Sequence, residues 1–233
     1  MGSGYLSDDQ VAADYMGLMQ LLADTRAMLG QNAVITMAYY PDGRQEALLR
    51  DTAGGAAKYV DLMHMMSYDQ GGQHHSSLGF GKRTAEQGAR LLPAAQVTAG
   101  LPFYGRFSTT GDWRSYEDIV QAHWPLDPSL DAVPSPDDRG NPSTIGFNGV
   151  ATIEARTAHA IELGLGGVMI WEVGQDCRLE PVAHGDTTHV RTCPGVDDSA
   201  SLLVAIARAM HGAGASLPQF SAPRVNAARN AEL

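Results

Sequence analysis

Tyr68-Asp69, Tyr104 with Arg106, and Trp171-Glu172 each stand where an apolar run gives way to a loop, so a fold that lays those runs side by side collects them at one edge. Their chemistry suits a sugar. Aromatic faces cover the C–H surface of a pyranose ring, while carboxylate, guanidinium and phenol groups bond its hydroxyls and amides. Met66 leads into the first of these segments and Gly174-Gln175-Asp176 follows the last. Aromatics at strand ends also serve as lids over a core, so residue type alone leaves both uses open.

The elements that must position these residues follow from hydrophobic spacing. Ser7-Asp8-Asp9-Gln10 reads as a capping box, Val11, Tyr15, Leu18, Met19 and Leu22 fall on one helical face, and Gly30 is a natural stop. Residues 33–39 form an apolar run closed by Pro41-Asp42-Gly43, too short for a helix and therefore a buried strand. A short helix over 45–50 follows, then a second apolar run over 59–66 and a turn at Gln70-Gly71-Gly72. A helix is expected from Thr84 to Pro93, a third strand over 97–103, a helix through Ile153, Ala158 and Ile161 to Gly164, and a fourth strand over 167–171. Leu202, Leu203, Ile206 and Met210 mark a last helix ending near Gly212. Apolar strands alternating with amphipathic helices predict βα units and a parallel sheet, with strand C-termini and hence the site on one edge. The Pro-, Asp- and Ser-rich stretch 107–146 reads as a partly mobile excursion loop, and the tail over 214–233 as disordered.

Composition narrows the function classes. Sixteen Lys and Arg against 26 Asp and Glu give the 233-residue chain a net charge of −10, and no basic patch suited to nucleic acid is visible. Hydrophobic residues at 44% suffice for a core. No apolar run approaches the roughly 20 residues of a membrane helix, and Met1-Gly2-Ser3-Gly4 lacks the basic and apolar regions of a signal peptide. Cys177 and Cys193, with 15 residues between them, are either one clip across a loop or two free thiols.

Met66-Ser67-Tyr68-Asp69, Gly100-Leu101-Pro102-Phe103-Tyr104-Gly105-Arg106 and Gly166-Gly167-Val168-Met169-Ile170-Trp171-Glu172 resemble, in order, three strand motifs of the family 18 glycoside hydrolases, the chitinases and chitinase-like lectins. Gly146-Phe147-Asn148 and Glu162-Leu163-Gly164-Leu165 are similar to that family's approach to its last strand. The resemblance spans about Asp8 to His211 and implies the second half of a TIM-type (β/α)8 barrel, residues 1–213, with four strands standing for the fifth to eighth. It also implies retaining, substrate-assisted hydrolysis of β-1,4-linked N-acetylglucosamine, in which the sugar's acetamido oxygen attacks the anomeric carbon and a protonated Glu serves as acid. No cofactor or metal is implied, and the partner is chitin or a chito-oligosaccharide. By the same resemblance Tyr68 bonds the acetamido group, Asp69 contacts the same sugar, Trp171 is its floor, and Met66, Tyr104 and Arg106 line the cleft, Arg106 also having a structural use. The parent family is usually secreted, which would suit a Cys177–Cys193 disulfide.

The family's acid lies in a D-x-x-D-x-D-x-E run, and the sequence contains none. The resemblance would put it just before Tyr5, so no catalytic residue is assigned and the chain alone is expected to be inactive. Three readings compete: a piece of a full chitinase, a short protein that binds chitin without cleaving it, and a half-barrel that completes itself by self-association through uncovered sheet edges. Glu117-Asp118 and Glu172 are not substitutes by motif, and strand alternation should turn Glu172 away from Trp171. Trp113 and Trp124 either extend the sugar platform or pack on the sheet. His74-His75 and His184 with His189 read as solvent-exposed loop histidines rather than metal pairs.

Overall fold

The computed structural model describes residues 6–184, 187–192 and 199–214, with the backbone alone given for 179–184 and 187–192. Helix α1 (Asp8–Leu29) begins at the expected capping box: Ser7 accepts from the Gln10 N–H and the Gln10 side chain accepts from the Ser7 N–H. It stops at Gly30, whose φ of 81° only glycine adopts without strain. Strand β1 (Thr36–Tyr39), helix α2 (Arg44–Asp51), strand β2 (Leu62–Met65), helix α3 (Leu78–Leu91) and strand β3 (Val97–Pro102) follow. Next come β4 (Tyr104–Phe107), β5 (Trp113–Ser115), α4 (Tyr116–Ala122), β6 (Ala132–Pro134), β7 (Thr144–Gly146), α5 (Val150–Glu162) and β8 (Gly167–Trp171). The chain continues through a hairpin, β9 (Arg178–His184) and β10 (Thr187–Thr192), to α6 (Leu202–Gly212).

The four expected strands pair in parallel in the order β1-β2-β3-β8, half the number that closes a (β/α)8 barrel. Each neighbour in space is the next βα unit in sequence, the arrangement that right-handed crossovers generate. The two sheet faces differ. On β2, Met63 and Met65 are fully buried against the helices, while Leu62, His64 and Met66 on the opposite face are partly exposed. A parallel sheet normally has both faces covered, and here the inner face is only half sheltered. This is a partial α/β barrel.

Two apolar clusters hold it. One gathers Met19, Leu22 and Leu49 with Met63, Met65 and Val97 between the first helices and the sheet. The other packs Phe103, Tyr116, Ile119, Phe147, Ile153 and Leu202 around α4, α5 and α6. Burying each such side chain is worth about 1.5–3 kcal/mol. At the foot of the sheet the Arg26 guanidinium donates to the Tyr59, Ala33 and Gly30 carbonyls and to Asp61, which accepts from the Ile35 N–H. This ties the entries of β1 and β2 to the end of α1.

The structure departs from the sequence expectations in two elements. Helix α3 starts at Leu78, capped by Ser77, whose hydroxyl accepts from the Phe80 N–H. Gly79 and Gly81 disguise its first turn, and Thr84 is no cap, since its hydroxyl bonds back to the Phe80 carbonyl one turn earlier. The stretch expected as an excursion loop is instead ordered. β4 to β7 form an antiparallel sheet in the order β5-β4-β7-β6, and Phe107, Tyr116, Ile119, Val120, Val133 and Ile145 enter the core from it. Strands of three residues are too short to display alternation, which is why composition suggested a loop. The tail expected to be disordered lies outside the described residues from 215 onward.

Among the described residues no strand pairs with the outer edge of β1 or of β8. Leu21, Met28, Leu29 and Val34 add exposed apolar surface near the β1 side. Open edges and apolar surface invite pairing, so the chain expressed alone is expected to self-associate. Light scattering checks this, and a monodisperse monomer would refute it.

Candidate functional site

The residues singled out in the sequence converge where β2, β3 and β8 end. Tyr68, Asp69, Met66, Tyr104, Arg106 and Trp171 line one open cavity of about 490 Å³, joined there by Trp113, Glu172 and Gln175. A neighbouring cavity of about 810 Å³ shares Met66, Tyr68, Asp69 and Arg106 and continues between the 70–73 and 107–111 loops. Trp171 presents its ring at 56% exposure and Trp113 at 54%, unusual for side chains of this size and apolarity. Trp124 is exposed too but lies outside this lining, so neither Trp113 nor Trp124 packs into the core. Glu172 borders the cavity together with Trp171, contrary to the alternation expected. Strand β8 ends at Trp171, and the pleat that would separate the two side chains ends with it.

Tyr104 and Arg106 reach the cavity by a route that the sequence did not suggest. The third strand ends at Pro102, the Phe103 N–H donates to the Trp171 carbonyl, and the chain then enters the antiparallel sheet at Tyr104. The cleft therefore has a floor from the parallel sheet and a wall from the antiparallel one.

Asp69 joins them. Its Oδ1 accepts from the Tyr104 hydroxyl at 2.6 Å and the Arg106 Nε–H at 2.6 Å, and His75 Nδ1 lies 3.3 Å away. Arg106 also donates to the Gly111 carbonyl at 2.6 Å, so the structural use foreseen for it is realised alongside its place in the lining. Among the described residues no hydrogen bond reaches Oδ2. Burial pushes the Asp69 carboxyl up, but the bonds from His75, Arg106 and Tyr104 and the charge of Arg106 outweigh it and hold the group well below the usual carboxylate range. The same neighbourhood pushes tyrosines up. Tyr68 rises to about 12, through burial first and then the Asp69 charge, so its hydroxyl remains a donor. Asp69 has φ of 62°, a left-handed conformation that costs a non-glycine residue on the order of 1 kcal/mol and that Asp tolerates better than most. Its network of bonds holds it there.

Beneath the cleft lies a buried cation. Arg156, on α5, donates from Nη2 to the Ser67 carbonyl at 2.9 Å and the Gly100 carbonyl at 2.8 Å. From Nη1 it donates to Ser76 Oγ at 2.5 Å and to Asn148 Oδ1 at 2.6 Å. Burial lowers its pKa to about 10, against the pull of Asp131, and still leaves it charged at neutral pH. It fixes the residue before Tyr68-Asp69, the strand leading to Tyr104, and the loop carrying His75. Gly100 is required at this junction, because a Cβ there would stand 2.2 Å from the Met65 carbonyl oxygen.

The histidines correct an expectation. His75 is buried at 3% exposure rather than solvent-facing, and His74 is partly buried with its Nε2 on the Asp131 and Phe147 carbonyls. Only the clustering of Ser, His and Gly after the strand end hinted at them. The side chains of His184 and His189 lie outside the described set. Cys177 is buried and disulfide-bonded, which removes the free-thiol reading for it; Cys193 lies outside the described residues. Glu117 is buried in α4 and Asp118 also stands apart from the cleft lining.

Comparison with known proteins follows the geometry. The family described as "Glycosyl hydrolases family 18" matches residues 4–176. Among solved structures, a chitinase from Bacteroides thetaiotaomicron superposes with a TM-score of 0.65 at 19% identity, covering 92% of this chain and 63% of that one. The GH18 chitinase ChiB of Flavobacterium johnsoniae gives 0.54 at 22% identity, with 85% and 54% covered. The chitinase RmChi1 of Rhizomucor miehei gives 0.53 at 21%, with 84% and 61% covered. At these identities the likeness is one of fold, and the chain spans less than two thirds of each of these structures. No curated protein matches the sequence.

Two measurements test the site's construction. Arg156→Met removes the donor shared by the Ser67 and Gly100 carbonyls and Asn148 Oδ1 and is expected to cost about 3 kcal/mol or more in denaturant unfolding. Asp69→Asn should destabilise the chain at neutral pH. Because the Asp69 pKa is depressed on folding, its contribution is present above the ordinary Asp value of about 3.9 and is lost as pH falls below it. The gap between parent and variant should therefore narrow below about pH 4, and a gap constant from pH 7 to 3 would contradict the network.

Proposed function

The chain belongs to the family 18 glycosyl hydrolases, and from that membership and its cleft we propose that it binds β-1,4-linked N-acetylglucosamine chains as the sugar-holding part of a chitinase-type site. The observation that carries this reading is the convergence of exposed Trp171 and Trp113 with Tyr68, Asp69, Tyr104 and Arg106 around one cavity. An exposed indole beside hydrogen-bonding groups of both signs matches a pyranose, whose C–H face needs an apolar platform and whose rim carries donors and acceptors. In this reading Trp171 is the floor, the Tyr68 hydroxyl donates to the acetamido oxygen, and Asp69 Oδ2 accepts from a hydroxyl or amide N–H of the same sugar. Met66, Tyr104 and Arg106 complete the lining.

The reaction such a site belongs to is retaining and substrate-assisted. Tyr68 and Asp69 would hold the acetamido group for its attack on the anomeric carbon, and a carboxylic acid would protonate the leaving oxygen. The 233 residues contain no D-x-x-D-x-D-x-E run to supply that acid. Glu172 borders the cavity, where the Gln175 amide donates to it at 3.4 Å, but it follows the floor residue and matches no acid motif. We therefore assign these residues binding without turnover, and read the four parallel strands as the fifth to eighth of the family's barrel. The order of the strands and the motifs at their ends support that correspondence. A lectin reading shares this cleft and differs from the enzyme reading only in the missing acid.

Calorimetry with a chito-oligosaccharide tests the binding. Trp171→Ala should weaken it by at least about tenfold, in line with losing an aromatic platform, and unchanged affinity would refute the floor assignment. Release of a chromophore from a chito-oligosaccharide glycoside should be undetectable, and any measurable rate from this chain would refute the argument about the acid.

A further inference from the structure

His75 belongs to none of the motifs that pointed to the cleft, yet its imidazole is held between the two sheets that form it. Nδ1 lies 3.3 Å from Asp69 Oδ1 and Nε2 lies 3.2 Å from the Tyr104 carbonyl oxygen. The ring packs on the Tyr104 ring with centroids 4.8 Å apart and a tilt of 38°. Its backbone is fixed from both sides. The Gln70 N–H donates to the His75 carbonyl at 2.9 Å, and the next residue, Ser76, donates from its hydroxyl to the Ser67 carbonyl and is gripped by Arg156. The imidazole cannot swing away without opening this loop.

Both ring nitrogens face acceptors, but a neutral imidazole carries one N–H. The groups around it are Asp69 and His74 from its own loop and Tyr104 and Arg106 from β4. Of the two acceptors the carboxylate is the stronger, because a charge-assisted bond is roughly twice as strong as a neutral one, so the proton belongs on Nδ1. That N–H is then the third donor on Oδ1, beside Tyr104 and Arg106, and the three leave Oδ2 as the oxygen open to the cleft. We propose that His75 is a positioning residue of this cleft, whose Nδ1–H fixes the Asp69 carboxylate so that Oδ2 is presented to a bound sugar. The assignment rests on the glycan-binding reading for its purpose and on the Asp69 contact for its substance.

Two amide substitutions separate donation from space-filling. In His75→Asn the side-chain nitrogen falls near the Nδ1 position and can still donate to Asp69. In His75→Gln it falls near the Nε2 position and donates to the Tyr104 carbonyl instead, while filling more of the imidazole's space. By calorimetry with N-acetylglucosamine tetramer, Gln should raise Kd about tenfold and Asn by less than about threefold. Nitrogen-15 NMR of the parent should show the Nδ1–H tautomer at neutral pH. Carboxyl carbon NMR should show the Asp69 titration staying low in the parent and in Asn, and moving toward the ordinary range in Gln. An Nε2–H tautomer, or an Asp69 titration unmoved in the Gln variant, would overturn the proposal, as would equal loss of affinity in both variants. If the parent itself fails to bind the tetramer, the glycan reading falls, and the tautomer and the Asp69 titration still decide whether His75 holds the carboxylate.

Discussion

Arg156 sends a fully buried guanidinium from α5 to the place where the parallel strands end, and among the described residues no carboxylate forms an ion pair with it there. Its positive charge is met instead by the partial charges of three main-chain carbonyls, a serine hydroxyl and an asparagine amide. Such a cation is costly to desolvate and is tolerated because both its Nη groups meet buried acceptors, which the Ser76 hydroxyl alone could not serve together. The strand exit at Ser67, the glycine at position 100 and the turn through Ser76 all take their positions from one rigid planar group. The cleft is built on top of that group, so its accuracy is inherited from the interior rather than from the exposed loops.

Electrostatics in the cleft reverse the usual outcome of burial. A half-buried carboxylate would ordinarily be pushed toward its neutral form, and Asp69 is instead held ionised by concentrating donors on one of its oxygens. The phenols beside it respond in the opposite direction and stay protonated. The result is a fixed acceptor flanked by fixed donors, with protonation states that do not change across the neutral range. That is the electrostatic character of a recognition surface, whose groups must keep their hydrogen-bonding sense whether or not a ligand is present.

Much of this was legible in the sequence, and the parts that were not share a cause. The capping box at Ser7, the stop at Gly30 and the four apolar runs are local signals, each written within a few residues, and each appears in the structure as an element. The motif residues Tyr68, Asp69, Tyr104, Arg106 and Trp171 do meet in one cavity. What escaped depends on long-range packing. β5, β6 and β7 are three residues long and exist because neighbouring strands pair with them, not because their own pattern demands it. His75 looked like a surface residue because its partners, at positions 69 and 104, become neighbours only when a strand from the second sheet crosses beside the loop. Arg156 is announced by nothing local, since no short-range signal tells that its face of α5 points inward.

The change of sheet at Phe103 gives the cleft two banks of different origin. Trp171 closes a strand of the parallel sheet and the Tyr68-Asp69 pair follows the end of another, while Trp113 and Arg106 ride on the small antiparallel sheet. Insertions or deletions in the turn around 135–143 would reshape the antiparallel bank, whereas the turn around 108–112 is tied through Gly111 and Arg106 to Asp69 on the other. A lineage carrying this architecture can therefore reshape one wall of the cleft by editing a turn of the small sheet, with the ends of the parallel strands left as a fixed inheritance.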